Sequence, residues 1–201
     1  LFRLDKLGAR GETDPEVMRG QVSRLRAESP SACPVLDRYR EWVEEAEQAL
    51  PMKAWVSLSS TVVHGDVQPA NLLIRDGEVC AFVDLDWCAW RPRLYDLGFA
   101  LLFCCAKHDT PIDGSDIVSL TQAPRWEGAP VEAFLEAYES EAGRLERAEW
   151  EALGPQLVLS WCHCRIAGAL KCPPEARKAF LEREPHDKRA ITPPDLPGGR
   201  A

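Results

Sequence analysis

Two short apolar runs, at residues 72–74 and 79–83, flank Asp76-Gly77 and constrain the fold of this chain more than any other feature. An Asp-Gly pair between β-prone runs is typical of a β-hairpin with a tight turn. Asn71 precedes the first run and Asp84 follows the second. Because a hairpin begins and ends at the same edge, we expect Asn71 and Asp84 to lie close together.

The loop before the hairpin carries polar residues at a spacing used in phosphoryl transfer. His64-Gly65-Asp66 and Asn71 give the pattern H-x-D-x-x-x-x-N, which is typical of a protein-kinase-type catalytic loop. Such chemistry needs one carboxylate to position the attacking hydroxyl, and amide and carboxylate oxygens to hold a metal ion against the phosphates. Taken singly, Asp66 would be read as a turn residue and Asn71 as a cap; the combined pattern favours the chemical interpretation.

Composition excludes some classes of partner. The chain has 201 residues, 45% of them hydrophobic, and a formal net charge of −8. This acidity argues against a nucleic acid or an anionic membrane surface as the main partner. No apolar run approaches the roughly 20 residues that span a bilayer. We therefore predict a globular cytoplasmic protein without a nucleic-acid or membrane partner.

The eight cysteines form no C-x-x-C pair, and we interpret them as reduced packing residues. The best metal candidate among them is Cys162-His163-Cys164. Three consecutive residues of a helix point in different directions, so zinc is the less favoured interpretation.

Helical patterns dominate the rest of the chain. Asp14-Pro15-Glu16 is a helix start with a cap, a first-turn proline and an early acid. Further helices are predicted at residues 36–50, 94–103, 131–138, from 147 onwards, and 173–184. The predicted fold is α+β and predominantly α-helical. Residues 1–185 form one helical domain that carries the hairpin, and residues 186–201 form a disordered tail.

Three linked motifs resemble the aminoglycoside phosphotransferase family of protein-kinase-like enzymes. They are His64-Gly65-Asp66 with Asn71, then Val83-Asp84-Leu85-Asp86, then Tyr95-Asp96-Leu97. The family also includes choline-, homoserine- and fructosamine-kinase-type enzymes. The resemblance implies the fold of a protein-kinase-like C-terminal lobe, with Mg²⁺ and ATP or another nucleoside triphosphate as cofactors.

The resemblance also implies roles for individual residues. Asp66 matches the catalytic base, which accepts or orients the proton of the substrate hydroxyl. Asn71 and Asp84 match the magnesium ligands. Asp86 is expected on the same side of an extended strand as Asp84, as a candidate for metal or substrate contact.

Two further residues match structural positions of the family. His64 is expected to support the loop backbone. Asp96 lies in an apolar helix, where a carboxylate needs hydrogen-bond donors, and is expected to accept hydrogen bonds from that backbone. Trp87 and Trp90 follow the metal ligands and are candidates for the border of the substrate cleft.

One part of the family pattern has no counterpart in this sequence. Family members carry an N-terminal lobe with a glycine-rich loop and a lysine that contacts the phosphates. The residues before His64 predict helices, and neither Lys6 nor Lys53 lies in a β-branched strand. We therefore expect a C-terminal lobe alone, whose other lobe lies in an unseen part of the chain or in a partner chain.

Two functions follow as hypotheses. The first is an ATP-dependent phosphotransferase that acts on a hydroxyl of a small molecule, with aminoglycosides and amino alcohols as candidates. The alternative is a degenerate kinase-like lobe that serves as a non-catalytic binding or regulatory module. Acidic helix faces would suit a cationic acceptor, although solvated helix acids are the simpler interpretation. These acids are Glu132, Glu136, Glu139 and Glu141.

Overall fold

The structure is a computed structural model that describes residues 10–113, 115–183, 187–194 and 196. Helices make up most of it, with two small antiparallel sheets, so the prediction of a mainly helical α+β fold is confirmed. The α-helices are α1 Pro15–Glu28, α2 Cys33–Ala49, α3 Met52–Val56, α4 Leu94–Ala100, α5 Ile117–Leu120, α6 Gly128–Ala142, α7 Arg147–Lys171 and α8 Arg177–Glu182.

The first two helices form where the sequence places them. The Asp14 side chain accepts a hydrogen bond from the Glu16 N–H, and Pro15 occupies the first turn of α1. Helix α2 buries an apolar stripe that includes Leu36, Tyr39 and Val43. This stripe packs against α7 and α1.

Helix α7 is the centre of the fold. It contacts α1, α2 and α4 and buries Leu153, Leu157 and Trp161 almost completely. Glu146 and Glu149 form a capping box at its start, which satisfies backbone N–H groups of the first turn.

An ion pair joins the start of α4 to the start of α7. Arg93 donates two hydrogen bonds to the Glu149 carboxylate, of 2.8 and 2.7 Å. It also donates to the carbonyl oxygens of residues 142, 143 and 144, at the end of α6 and in the loop after it. Burial by itself would raise the pKa of Glu149, but the Arg93 hydrogen bonds and charge hold it below its usual value.

The predicted hairpin is confirmed. Strand β2 is Leu72–Arg75 and pairs antiparallel with β3, Glu78–Phe82. The turn residues Asp76 and Gly77 both have positive φ, of 53° and 83°. A second sheet pairs β1, Ser60–Val63, with β4, Ala89–Pro92. The sequence analysis did not identify β4.

The predicted buried helix at residues 94–103 is also confirmed, with one change of geometry. Helix α4 continues as a π-helix at Leu101–Cys105, closed by a hydrogen bond from the Ala106 N–H to the Leu101 carbonyl. Leu94, Leu97 and Leu101 are at most 1% exposed.

The segment predicted to be a disordered tail is described at residues 187–194 and 196. There, Lys188–Ile191 forms a 3₁₀-helix, and Ile191 is fully buried in the main core. This part of the segment therefore packs onto the helical body. The boundary between the two predicted regions, at residue 185, lies outside the described residues and stays a prediction.

Within the described parts of the chain, no helix is both long enough and apolar enough to cross a membrane.

Candidate functional site

Asp96 holds the loop that contains His64 and Gly65. Its carboxylate accepts hydrogen bonds from the His64 N–H at 2.6 Å and the Gly65 N–H at 2.9 Å. Burial raises the pKa of Asp96, and the two N–H donors partly offset this effect. The sequence analysis expects these hydrogen bonds, and they attach the loop to the first turn of α4.

Gly65 is required at its position for two reasons. Its φ of +88° lies in the left-handed region. A Cβ atom there would lie 2.8 Å from the Trp87 Cβ and would also collide with the Trp87 carbonyl oxygen. The loop and the turn after β3 are therefore in direct backbone contact.

Asp66 and Asn71 are hydrogen-bonded to each other. The Asn71 Nδ2 donates to Asp66 Oδ2 at 2.8 Å and to the Asp66 carbonyl at 2.9 Å. Gln68 Nε2 donates to the same carboxylate oxygen at 2.8 Å. Asn71 is only 7% exposed, so its orientation is constrained by packing. Because its amide nitrogen faces Asp66, its Oδ1 is left to accept or to coordinate.

Asp84 lies next to the same pair. The preceding residue, Val83, donates its N–H to the Asn71 carbonyl at 3.0 Å and hydrogen-bonds through its own carbonyl to the His64 ring at 2.9 Å. This contact agrees with a supporting role for His64. The structure thus brings Asp66, Asn71 and Asp84 to one end of the hairpin.

The side chains at this end supply the oxygen-donor types that a magnesium ion takes. Asp84 is exposed, and its φ of 62° and ψ of 64° are left-handed, a conformation that is uncommon for a residue other than glycine. Such backbone outliers are often found at functional sites. The Asn71 amide oxygen and the Asp84 carboxylate are hard oxygen ligands of the kind that Mg²⁺ prefers.

The expectation for Asp86 is wrong in its geometry. Residues Leu85–Trp87 form a 3₁₀-helix, and Asp84 is left-handed, so no extended strand places Asp84 and Asp86 on one side. Asp86 is exposed at this turn and does not line the cavity at Asp66. Its role as a metal or substrate contact stays a prediction.

A cavity of about 330 Å³ opens beside Asp66. Most of its wall is aromatic or aliphatic, formed by Trp87, Tyr95, Phe99, Phe103, Ile117 and Leu120. Of the two tryptophans predicted at the cleft, only Trp87 lines it. Trp90 is 66% exposed on β4. The spacing of Tyr95, Phe99 and Phe103, four residues apart on one helix, is a signal that could have identified this wall.

The polar part of the cavity lining includes residues from both ends of the chain. Glu12, in the 3₁₀-helix Gly11–Thr13, faces His163 of α7, with 3.7 Å between Glu12 Oε2 and His163 Nδ1. Burial lowers the pKa of His163 to about 4 and raises the pKa of Glu12. Lys171 completes this part of the lining from the exposed surface. Glu12 and Lys171 were not predicted from the sequence as site residues, and His163 was considered only as a zinc ligand.

The residues of the zinc candidate do not all face the same space. Cys162 is buried in the core, whereas His163 and Cys164 line the cavity. The described residues contain no group of three potential metal ligands from His, Cys, Asp and Glu. All eight cysteines are free; Cys80 and Cys104 are exposed, so the packing interpretation does not apply to them.

The acidic face considered for a cationic acceptor lies elsewhere. Glu132, Glu136 and Glu139 border a different groove, of about 300 Å³, together with Trp126 and Trp150. These glutamates are therefore not part of the cavity at Asp66.

Comparison with known proteins assigns the chain to a family. The model of the phosphotransferase enzyme family matches residues 2–150, about three quarters of the sequence. The matched part contains the His64 loop, the hairpin and α4; most of α7, including His163 and Lys171, lies beyond it. A search of the curated proteins and a search of the solved structures each found no match. The chain belongs to the phosphotransferase enzyme family, as its motifs predict.

Proposed function

We propose that this member of the phosphotransferase enzyme family transfers the γ-phosphate of ATP, or of another nucleoside triphosphate, to a hydroxyl group of a small molecule. The observation that carries the proposal is the cluster of Asp66, Asn71 and the Val83-Asp84 backbone at one end of the hairpin. A catalytic carboxylate and two oxygen ligands for a metal ion are what this reaction requires.

In this proposal, Asp66 orients the acceptor hydroxyl and accepts its proton. The hydrogen bonds from Asn71 and Gln68 hold the carboxylate in place before the substrate arrives. Asn71 Oδ1 and the Asp84 carboxylate would hold Mg²⁺, which when bound neutralises charge on the phosphates. Asp96 and His64 act indirectly, because they fix the loop on which Asp66 lies.

The phosphates of the nucleotide would also need contacts from a second lobe. Positioning and electrostatic contacts supply most of the rate enhancement in phosphoryl transfer. A further lobe, in another part of the protein or in a partner chain, would cover the phosphates. The formal net charge of −8 gives no support for a nucleic-acid or membrane partner.

Nucleotide binding tests the proposal directly. Isothermal titration calorimetry should show binding of Mg·ATP that is lost in the absence of Mg²⁺ and weakened at least tenfold in Asp84→Ala. Asp66→Asn should retain nucleotide binding but abolish transfer to any accepted hydroxyl compound. Glu132→Gln, on the distant acidic face, is the matched control.

Two outcomes would contradict the proposal. If nucleotide binding is the same without Mg²⁺ and in Asp84→Ala, the proposed metal site is wrong. Metal-dependent binding without transfer, tested over a panel of alcohols and with a nucleotide-covering lobe supplied, would favour the non-catalytic binding module.

A further inference from the structure

The groove that borders α6 is separate from the cavity at Asp66. Its volume is about 300 Å³, and no residue lines both spaces. Its lining is largely apolar and comes from α6, the start of α7 and the C-terminal segment. The apolar side chains include Trp126, Val131, Leu135, Trp150, Pro193 and Leu196. An apolar depression at a protein surface is typical of a binding site.

The groove is built on the main core of the protein. Val131, Leu135 and Leu196 are 5, 6 and 8% exposed and belong to the core cluster. Trp126 Nε1 donates a hydrogen bond of 2.9 Å to the Ala190 carbonyl, which joins the residue before Glu127 and α6 to the C-terminal segment. The lining is therefore present before any partner binds.

Glutamates are the only charged residues in the lining of this groove. They are Glu127, Glu132, Glu136 and Glu139. Glu127 pairs with Lys107 at 3.1 Å, and Glu139 accepts a hydrogen bond of 2.7 Å from the Leu145 N–H. Within the described chain, neither Glu132 nor Glu136 takes part in an ion pair. The chain itself therefore leaves most of this negative charge without a positive partner.

The spacing of the glutamates forms an acidic edge. Glu132, Glu136 and Glu139 follow the i, i+4, i+7 pattern that places side chains on one side of a helix. At 1.5 Å per residue, this edge extends about 10 Å along α6. Val131 and Leu135 each precede one of these glutamates and line the same groove. A partner that enters the groove therefore meets apolar surface and negative charge together.

Charge and shape select among the possible occupants. A polyamine would match the charge but would leave the apolar lining uncovered. A second copy of this chain also carries a net charge of −8 and would be repelled. A peptide segment with basic and large apolar side chains matches both features. The volume is about twice that of a ~150 Å³ cavity that holds one benzene ring, so one or two apolar side chains can enter.

We propose that this groove docks a basic amphipathic helix of a partner protein. Lysine or arginine side chains of that helix meet Glu132, Glu136 and Glu139, while one or two of its apolar side chains enter the groove. The inference goes beyond the proposed phosphotransferase activity and does not depend on it, because the groove lies apart from the cavity at Asp66.

Matched peptides test the docking groove. The probe is a fluorescein-labelled helical peptide of about 14 residues, with lysines at the four- and three-residue spacing of the glutamates and a leucine beside each lysine. Two companion peptides have glutamate in place of every lysine, or alanine in place of every leucine. Fluorescence anisotropy on the full chain should show the lysine–leucine peptide binding roughly tenfold or more tightly than either companion.

Charge reversal tests the contact itself. Glu132→Lys combined with Glu136→Lys should weaken the binding of the lysine–leucine peptide roughly tenfold and strengthen the binding of the glutamate peptide. Gain of the glutamate peptide shows in the same assay that the variant is folded. The control is Glu41→Lys combined with Glu175→Lys, which changes the net charge equally at exposed sites outside the groove. It should change either affinity by less than about threefold.

Several outcomes would overturn the inference. They are equal binding of the native chain to the lysine and glutamate peptides, equal binding to the leucine and alanine peptides, and no binding at about 1 mM. Displacement of the labelled probe by equimolar spermine would assign the groove to small polycations. Self-association in analytical ultracentrifugation that the charge reversal abolishes would assign it to a second copy. The comparison of peptides on the native chain stands even if the variant fails to fold.

Discussion

Loss of either partner of the Arg93–Glu149 ion pair should be one of the most destabilising single changes in this chain. Arg93 is 11% exposed and Glu149 is 1% exposed, so removal of either leaves the other buried without an opposite charge. Breaking such a pair costs about 3–5 kcal/mol, out of a total that is typically about 5–15 kcal/mol for a domain. We therefore expect Glu149→Ala and Arg93→Ala each to lower the free energy of unfolding by about 3 kcal/mol or more.

The two losses should not add. In the double variant no charge is left buried without a partner, so the double variant should lose roughly 2 kcal/mol less than the sum of the single variants. Urea unfolding at neutral pH, followed by the fluorescence of the seven tryptophans, measures all four chains. The exposed pair Arg147–Glu151 is the control, and Arg147→Ala should have no measurable effect. Single variants that lose less than about 1 kcal/mol, or fully additive losses, would refute the reasoning.

Two further predictions concern the loop and the cavity. Gly65→Ala should destabilise the chain by about 2 kcal/mol or more, because it adds left-handed strain to a collision with Trp87. The control is Gly20→Ala, which has open space inside α1 and should stabilise the chain by about 0.5–1 kcal/mol. Equal effects of the two variants in thermal unfolding would contradict this prediction. The pKa of His163 falls from 6.5 to about 4 on folding, so the unfolded chain binds the extra proton, and stability is lost as the pH falls from about 6.5 towards 4. At a pH of about 5 this loss of stability is about 2 kcal/mol, and the raised pKa of Glu12 partly offsets it because it acts in the opposite direction. Urea unfolding of the variant His163→Gln should show no such loss of stability at low pH. A variant with the same pH dependence as the native chain would contradict the prediction.

Local signals predicted the hairpin and the chemistry around it. Asp76-Gly77 determines the turn of the hairpin. The turn then places Asn71 beside Val83, the residue that precedes Asp84. Asp96 was predictable because a carboxylate in an apolar helix needs donors, and the N–H groups of His64 and Gly65 supply them.

Long-range packing explains what the sequence did not predict. Strand β4 pairs with β1, although the whole hairpin lies between them in the sequence. The segment Ala89–Pro92 has no alternation of polar and apolar residues that would predict a strand. Glu12 meets His163 only because the 3₁₀-helix Gly11–Thr13 packs against α7. The geometry expected for Asp86 is wrong because one left-handed residue, Asp84, ends the alternation of the preceding strand.

The π-helix at Leu101–Cys105 has a consequence for how this fold can vary. A π-turn holds one residue more than an α-turn, so it changes the angular position of the side chains within it. Phe103, a wall residue of the cavity, lies within that turn. Loss of a single residue here would restore α geometry and change the position of Phe103 around the helix axis. The shape of the cavity therefore depends on the length of this one turn as much as on the identity of the side chains that line it.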